Sequence, residues 1–256
     1  MAVALHRAFD WRGPDRVVLV HGFTQTLASW SPLADVLADT FQVVRVDLPG
    51  HGGSSGVELT FEETAAAIGD AGGTATYVGY SMGGRLCLRL ALDRPDLVQA
   101  LVLVGASPGL ADAQARAARQ VADDELAAEI ERLGTTAFID QWLRQPLFDG
   151  FTAAPDDLAA RLSNTSGGLA RALRRLGTGV QEPLWSRLGE LSMPLLAVAG
   201  QDDAVYTRIA EEMADAVGVN AQVVALAGAG HPAHLQRPAS FARLLTAFLV
   251  LHPPTS

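Results

Sequence analysis

One pentapeptide restricts the fold of this chain more than any other segment. Gly79-Tyr80-Ser81-Met82-Gly83 fits the pattern G-x-S-x-G, with a strand-like run (ATYVGY) before it and a helix-like run (MGGRLCLRLAL) after it. A strand that turns this sharply into a helix holds the serine in a strained conformation, and flanking glycines let neighbouring backbone pass close by. The pattern therefore predicts Ser81 as an exposed nucleophile at the end of a strand.

Short apolar runs alternate with helical patterns over most of the chain. Continuous apolar strands separated by helices are typical of a parallel sheet covered on both faces. We expect one α/β domain over residues 1–256, with a mostly parallel central sheet flanked by helices. The predicted strands are 17–20, 43–47, 76–80, 101–104, 195–199 and 221–226, and the predicted helices are 33–38, 61–68, 82–92, 206–217 and 238–251.

The segment 107–187 has a different character. Strand-like runs vanish there, and Ala, Arg, Leu, Asp and Glu recur at helical spacing, interrupted by prolines and glycines. Helices inserted at the carboxyl ends of parallel strands lie where ligands bind. The sequence therefore predicts a helical lid over residues 107–187.

Composition limits the partners and the location of the protein. The net charge of −9 argues against binding to nucleic acid or to an anionic membrane surface. The single cysteine, Cys87, excludes an internal disulfide and fits a reducing compartment, and no apolar run approaches the ~20 residues of a membrane span. The N-terminal residues lack the pattern of a signal peptide. We expect a cytoplasmic protein without stable membrane insertion that is a monomer or a weak homo-oligomer.

No cofactor is expected. The histidines and the cysteine lack metal-ligand spacing, so no metal site is predicted. The glycine-rich turn at Gly79 belongs to the serine elbow and does not fit a dinucleotide fingerprint.

A serine hydroxyl needs a base to take its proton. His231 follows a late strand within the tight loop Gly228-Ala229-Gly230-His231-Pro232, where the glycines free the backbone to place it, and it is the predicted base. His234 lies close by, towards the last helix, and is the alternative. His6, His51 and His252 receive no catalytic role.

The carboxylate that orients the histidine should end the preceding strand. The run LLAVAG stops at Gly200 and is followed by Gln201-Asp202-Asp203. The spacing G-x-x-D selects Asp203 as the acid, and Asp202 remains a competitor because a small loop shift could exchange their roles. Backbone N–H groups of Met82, after the serine, and of Phe23, in the loop after the first predicted strand, are the expected oxyanion-hole donors.

The strings VVLVHGFTQTLASW, VDLPGHGGS and VGYSMGGR resemble the α/β-hydrolase superfamily. A narrower resemblance lies in SPGLADAQARAARQ, FIDQWLRQPLF, RLSNTSGGLARALRRLGTGVQEPLW and GAGHPAH, which together are similar to the 2-succinyl-6-hydroxy-2,4-cyclohexadiene-1-carboxylate synthases of menaquinone biosynthesis. The resemblance implies a lyase whose triad expels pyruvate from a small-molecule polycarboxylate, 2-succinyl-5-enolpyruvyl-6-hydroxy-3-cyclohexene-1-carboxylate. It also implies carboxylate-binding roles for Arg85, Arg119 and Arg161, and it places Tyr80 and Trp142 in the pocket wall.

The position of Arg85 supports an anionic ligand independently. It falls in the first turn of the helix after the serine, where the helix dipole disfavours a cation. The alternative is that Arg85 reaches solvent or pairs with an acid of the segment 107–187.

Two other functions are compatible with the same residues. A carboxylesterase or carbon–carbon bond hydrolase would use Ser81 to form an acyl-enzyme, and an apolar acyl pocket would favour it. A non-catalytic ligand-binding protein on this fold is disfavoured, because Ser81, Asp203 and His231 are all present.

Overall fold

The computed structural model describes residues 4–11 and 13–253. Residues 1–3, 12 and 254–256 lie outside the described residues. The predicted domain includes all of them, and the signal-peptide prediction concerns those at the N-terminus. Within the described residues, seven strands form one sheet in the order β1-β3-β2-β4-β5-β6-β7. The strands are β1 (Arg7–Trp11), β2 (Arg16–Val20), β3 (Gln42–Val46), β4 (Ala75–Tyr80), β5 (Val98–Val104), β6 (Leu195–Gly200) and β7 (Ala221–Leu226).

Strands β2 to β7 pair in parallel, and β1 pairs antiparallel with β3. The mostly parallel α/β sheet predicted from the sequence is therefore confirmed. Strand β1 was not predicted, since Phe9 is exposed on this edge strand and the run has no continuous apolar pattern.

Ten α-helices are described. They are α1 (Ser31–Leu37), α2 (Phe61–Gly72), α3 (Met82–Asp93), α4 (Ala113–Leu133), α5 (Thr135–Leu143), α6 (Pro155–Leu162), α7 (Ser166–Leu176), α8 (Ala204–Val217), α9 (Ala233–Gln236) and α10 (Pro238–Leu251). None of these helices combines the length and apolar character that crossing a bilayer would need.

Each face of the sheet has its own core. Val18 and Val20 of β2 pack on the face covered by α2, α3 and α8, whereas Val17 and Leu19 pack on the face covered by α1 and α10. Burial on both faces explains why the strands read as uninterrupted apolar runs.

Helices α4 to α7 all lie between β5 and β6, within the segment predicted as an inserted helical region. They have a small core of their own, which includes Ile130, Phe138 and Leu169. Phe23, from the loop after β2, packs against this core. The inserted helices therefore contact the carboxyl-end loops of the sheet, and their action as a lid stays a prediction.

Candidate active site

Ser81 lies in the turn between β4 and α3, in a conformation rare for a residue with a side chain. Its φ is 50° and its ψ is −111°, and its N–H donates to the Val104 carbonyl at 2.9 Å. A Cβ atom at Gly79 would lie 2.6 Å from Gly84 N, and one at Gly83 would lie 2.4 Å from Val20 O. Glycine is thus required on both sides of the serine because neighbouring backbone fills the space.

The structure brings Ser81, His231 and Asp203 into one hydrogen-bonded chain. His231 Nε2 lies 3.2 Å from Ser81 Oγ, and His231 Nδ1 lies 3.0 Å from Asp203 Oδ2. An ionised carboxylate can only accept, so Nδ1 carries the ring proton and Nε2 is free to accept the serine proton. This geometry allows the acid–base roles predicted for the three residues, and the roles themselves stay predictions.

Asp203 is fixed by more than the histidine. Its other oxygen, Oδ1, accepts the Tyr206 N–H at 3.2 Å and caps the N-terminus of α8. Asp202, the alternative acid, is exposed, and its N–H donates to the Ala229 carbonyl. The structure thus places Asp203 against the imidazole.

His234, the alternative base, lies behind the site. Its ring packs 4.4 Å from Trp30 and 4.5 Å from Tyr80 between ring centroids, and neither ring nitrogen has a hydrogen-bond partner among the described residues. Burial lowers the pKa of His234 to about 3, so this ring is neutral at neutral pH.

The loop after β2 forms a tight turn that orients the Phe23 amide. The Gly22 carbonyl accepts the Gln25 N–H at 3.2 Å and His21 Nδ1 at 2.8 Å. Because a trans peptide directs its C=O and N–H to opposite sides, these bonds also fix the direction of the Phe23 N–H. We call residues 22–25 the oxyanion turn, since Phe23 is the predicted donor within it.

Buried histidines support this turn. Burial lowers the pKa of His21 to about 4, so its neutral ring donates from Nδ1 while Nε2 accepts the Leu48 N–H at 3.1 Å. His51, to which the sequence assigned no catalytic role, accepts the Thr24 N–H at Nε2 at 3.2 Å. Its glycine-rich setting in the sequence gave no signal of this contact.

Arg85 is a buried cation whose hydrogen-bond partners are neutral. Its Nη1 donates to Gln181 Oε1 at 2.8 Å, its Nη2 donates to the Leu176 carbonyl at 2.7 Å, and its guanidinium lies 5.6 Å from the Phe61 ring centroid. Burial lowers the pKa of Arg85 to about 10, so the group is still charged at neutral pH. It lies one helical turn after Ser81, and its N–H donates to the Ser81 carbonyl.

The other predicted arginines have acidic partners. Arg119 Nε donates to Asp123 Oδ1 at 2.7 Å, and its side chain is 45% exposed. Arg161 is 1% exposed, and its Nε donates to Asp157 Oδ2 at 2.8 Å. The structure therefore places the Arg119 side chain at the surface, partly exposed to solvent. It places Arg161 inside the protein, where its side chain contacts Thr24 of the oxyanion turn.

Aromatic rings lie beside His231 and beside Phe23 of the oxyanion turn. Trp142 lies edge-on to Phe23 at 5.3 Å, and Tyr80 lies 5.4 Å from His231, both between ring centroids. Tyr206, which was not predicted from the sequence, has its ring 4.4 Å from that of His231, between ring centroids. Its position in the first turn after Asp203 was the available signal, since the residue that caps a helix lies beside that turn.

The chain belongs to the α/β-hydrolase family, because a sequence profile described as "Alpha/beta hydrolase family" matches residues 17–244. The 2-succinyl-6-hydroxy-2,4-cyclohexadiene-1-carboxylate synthase of Serratia proteamaculans (strain 568) is 31% identical and aligns over 91% of this chain and 92% of that protein. A Bacillus subtilis (strain 168) protein provisionally given the same name is 32% identical over 92% of this chain and 90% of that protein. The solved structure of MenH from S. aureus is 28% identical, with a TM-score of 0.88 over 96% of this chain and 98% of that one.

Proposed function

We propose that this protein eliminates pyruvate from 2-succinyl-5-enolpyruvyl-6-hydroxy-3-cyclohexene-1-carboxylate and so forms 2-succinyl-6-hydroxy-2,4-cyclohexadiene-1-carboxylate. Similarity over 91–92% of this chain to relatives named for that product supports the reaction. The observation in the site that favours it is Arg85, a buried cation with neutral partners one turn from Ser81. Such a cation is suited to a carboxylate-bearing substrate.

The reaction begins at the ring C–H next to the succinyl ketone. His231 Nε2 accepts the Ser81 proton, and Ser81 Oγ takes the carbon-bound proton, while Asp203 stabilises the imidazolium. The ketone oxygen gains negative charge as the enolate forms. Backbone N–H groups of Phe23 and Met82 stabilise that charge.

The electrons of the broken C–H bond then move through the ring. The 3-ene shifts to the 2-position, a second double bond forms at the 4-position, and the C–O bond to the enolpyruvyl group breaks. Enolpyruvate leaves with the bonding pair, gains a proton on its methylene carbon and becomes pyruvate. The serine proton held by His231 balances this uptake, and no covalent acyl-enzyme is formed.

Arg85, Arg119 and the pocket rings Tyr80 and Trp142 bind the substrate in this proposal. A charge-assisted contact to a carboxylate is shorter and stronger than one between neutral groups. A cytoplasmic location and a monomeric or weakly associated state also belong to the proposal. Sedimentation analysis at several protein concentrations tests the oligomeric part.

The experiment is pyruvate release from the freshly generated substrate, followed with a coupled dehydrogenase. We expect rapid release by the wild type and a fall of at least about 10³-fold in kcat for Ser81→Ala, because no group replaces the proton acceptor. Failure of the wild type to release pyruvate, together with Ser81-dependent cleavage of aryl esters, would contradict the proposal and favour an esterase.

A further inference from the structure

Thr24 is the residue of the oxyanion turn on which three distant side chains converge. Its N–H donates to His51 Nε2 at 3.2 Å, its Oγ1 accepts Arg161 Nη1 at 2.6 Å, and its carbonyl accepts Asn164 Nδ2 at 2.8 Å. Thr24 is fully buried. Its backbone N–H, its backbone C=O and its hydroxyl are therefore all held by side chains from outside the turn.

The backbone of Thr24 has a conformation that threonine disfavours. Its φ is +69°, and in the described part of the chain only Ser81 shares a positive φ among residues other than glycine. Thr24 is the third residue of the turn closed by the Gln25 N–H to Gly22 O bond, a position where a positive φ ordinarily requires glycine or asparagine. Such a conformation persists only where the surroundings hold it.

Arg161 is arranged to hold this turn. Its ion pair with Asp157 fixes the guanidinium, and Asp157 Oδ1 in turn accepts Ser29 Oγ at 2.8 Å. Arg161 is 1% exposed, and its charge is paired with that of Asp157 inside the protein. Asn164, three residues further on, also donates to the Arg161 carbonyl at 3.1 Å, which ties the two side chains into one unit.

We infer that Arg161, together with Asn164, is a positioning residue that holds Thr24 at positive φ and thereby keeps the Phe23 N–H directed at the developing oxyanion. This inference rests on the proposed function and assigns Arg161 a role other than direct binding of a substrate carboxylate. When these contacts are lost, Thr24 relaxes to a negative φ and the Gln25 N–H no longer holds the Gly22 carbonyl. The Gly22–Phe23 peptide, which carries the Phe23 N–H, then shifts. A donor displaced by about 1 Å costs on the order of 10²-fold in rate.

The test uses a reagent with no carboxylate. An uncharged fluorophosphonate reacts with Ser81: the Oγ–P bond forms, the P–F bond breaks, fluoride leaves and His231 takes the serine proton. The phosphonyl oxygen needs the oxyanion hole but not a carboxylate-binding arginine. The second-order rate constant of this reaction is measured beside kcat and KM for pyruvate release.

Thr24→Val and Arg161→Gln should each slow phosphonylation and lower kcat by about 10- to 100-fold, with KM changed by less than about threefold. Thr24→Val leaves the Arg161–Asp157 ion pair in place, so it tests the inference even if Arg161→Gln does not fold. Arg144→Gln, which removes an exposed ion pair with Asp140 on α5, is the matched control and should change neither rate.

The decisive variant is the double substitution Arg161→Gln/Thr24→Gly. Glycine adopts a positive φ without help, so the double variant should react at least about tenfold faster than Arg161→Gln alone. Unchanged phosphonylation with a raised KM in Arg161→Gln, or no recovery in the double variant, would overturn the inference. Phosphonylation does not require the natural substrate, so this result is separate from any failure of the wild type to release pyruvate.

Discussion

The two sides of the site are built in different ways. Ser81, His231 and Asp203 follow three parallel strands, and they are hydrogen-bonded to one another. The side chains of the arginines are bonded to none of these three residues, and Arg119 and Arg161 belong to the inserted helices α4 and α6. The loops after the strands, which form the sheet side of the site, thus hold three residues that act as one unit. The three arginines act separately, because their hydrogen-bond partners differ and leave different amounts of charge available to a ligand.

The largest expected effect tests the hydrogen-bonded chain on the sheet side. Asp203→Asn should lower kcat for pyruvate release by about 10²- to 10⁴-fold, because an amide favours the wrong tautomer of His231. Asp202→Asn is the neighbouring control and should stay within about twofold of wild type, since Asp202 is exposed. A loss in Asp202→Asn with an active Asp203→Asn would reverse the assignment of the acid.

An intermediate effect tests whether an arginine with neutral hydrogen-bond partners binds the substrate more strongly than one paired with an aspartate. Arg85→Gln should raise KM for the polycarboxylate by about 10- to 100-fold, because no carboxylate is hydrogen-bonded to this buried cation in competition with the ligand. Arg119→Gln should raise KM by less than about tenfold, since Asp123 and solvent already screen it. Steady-state kinetics check both, and equal effects would contradict the distinction.

The smallest expected effect concerns stability on the sheet side. Between its unfolded pKa near 6.5 and its folded pKa of about 3, His234 binds a proton only in the unfolded chain. The free energy of unfolding should therefore fall as the pH drops below about 6.5, by up to about 1.4 kcal/mol per pH unit from this group.

His234→Phe removes the titratable imidazole while keeping an aromatic ring between Trp30 and Tyr80. From pH 6.5 to pH 5, its free energy of unfolding should fall by about 1 to 2 kcal/mol less than that of the wild type, as measured by urea denaturation. At pH 8 neither state of His234 is protonated, so any difference there reports packing alone. Parallel pH profiles for the two proteins would show that His234 does not contribute.

Local patterns explain why the sheet side could be predicted. The elbow around Ser81 and the loops carrying Asp203 and His231 each follow an apolar strand, and their order along the chain is typical of one fold. The predicted strands matched because burial on both faces leaves an uninterrupted apolar run. Edge strand β1 lacks that signal.

The contacts of the arginines could not be predicted in the same way. Arg85 is 96 residues from Gln181, and Arg161 is 137 residues from Thr24, so no spacing rule connects them. The positive φ of Thr24 was equally hidden, because threonine ordinarily avoids that conformation. Whether an arginine meets a ligand or a buried aspartate depends on such long-range contacts.

The bond between His231 and Ser81 joins residues 150 positions apart. Contacts of such high sequence separation form slowly, because a long loop must close before they contribute any stability. The elbow, with its glycines and its neighbouring strands, can adopt its shape from nearby chain alone. The nascent protein should therefore present an inert serine elbow first and acquire its reactivity only when the last strand and its histidine loop have docked.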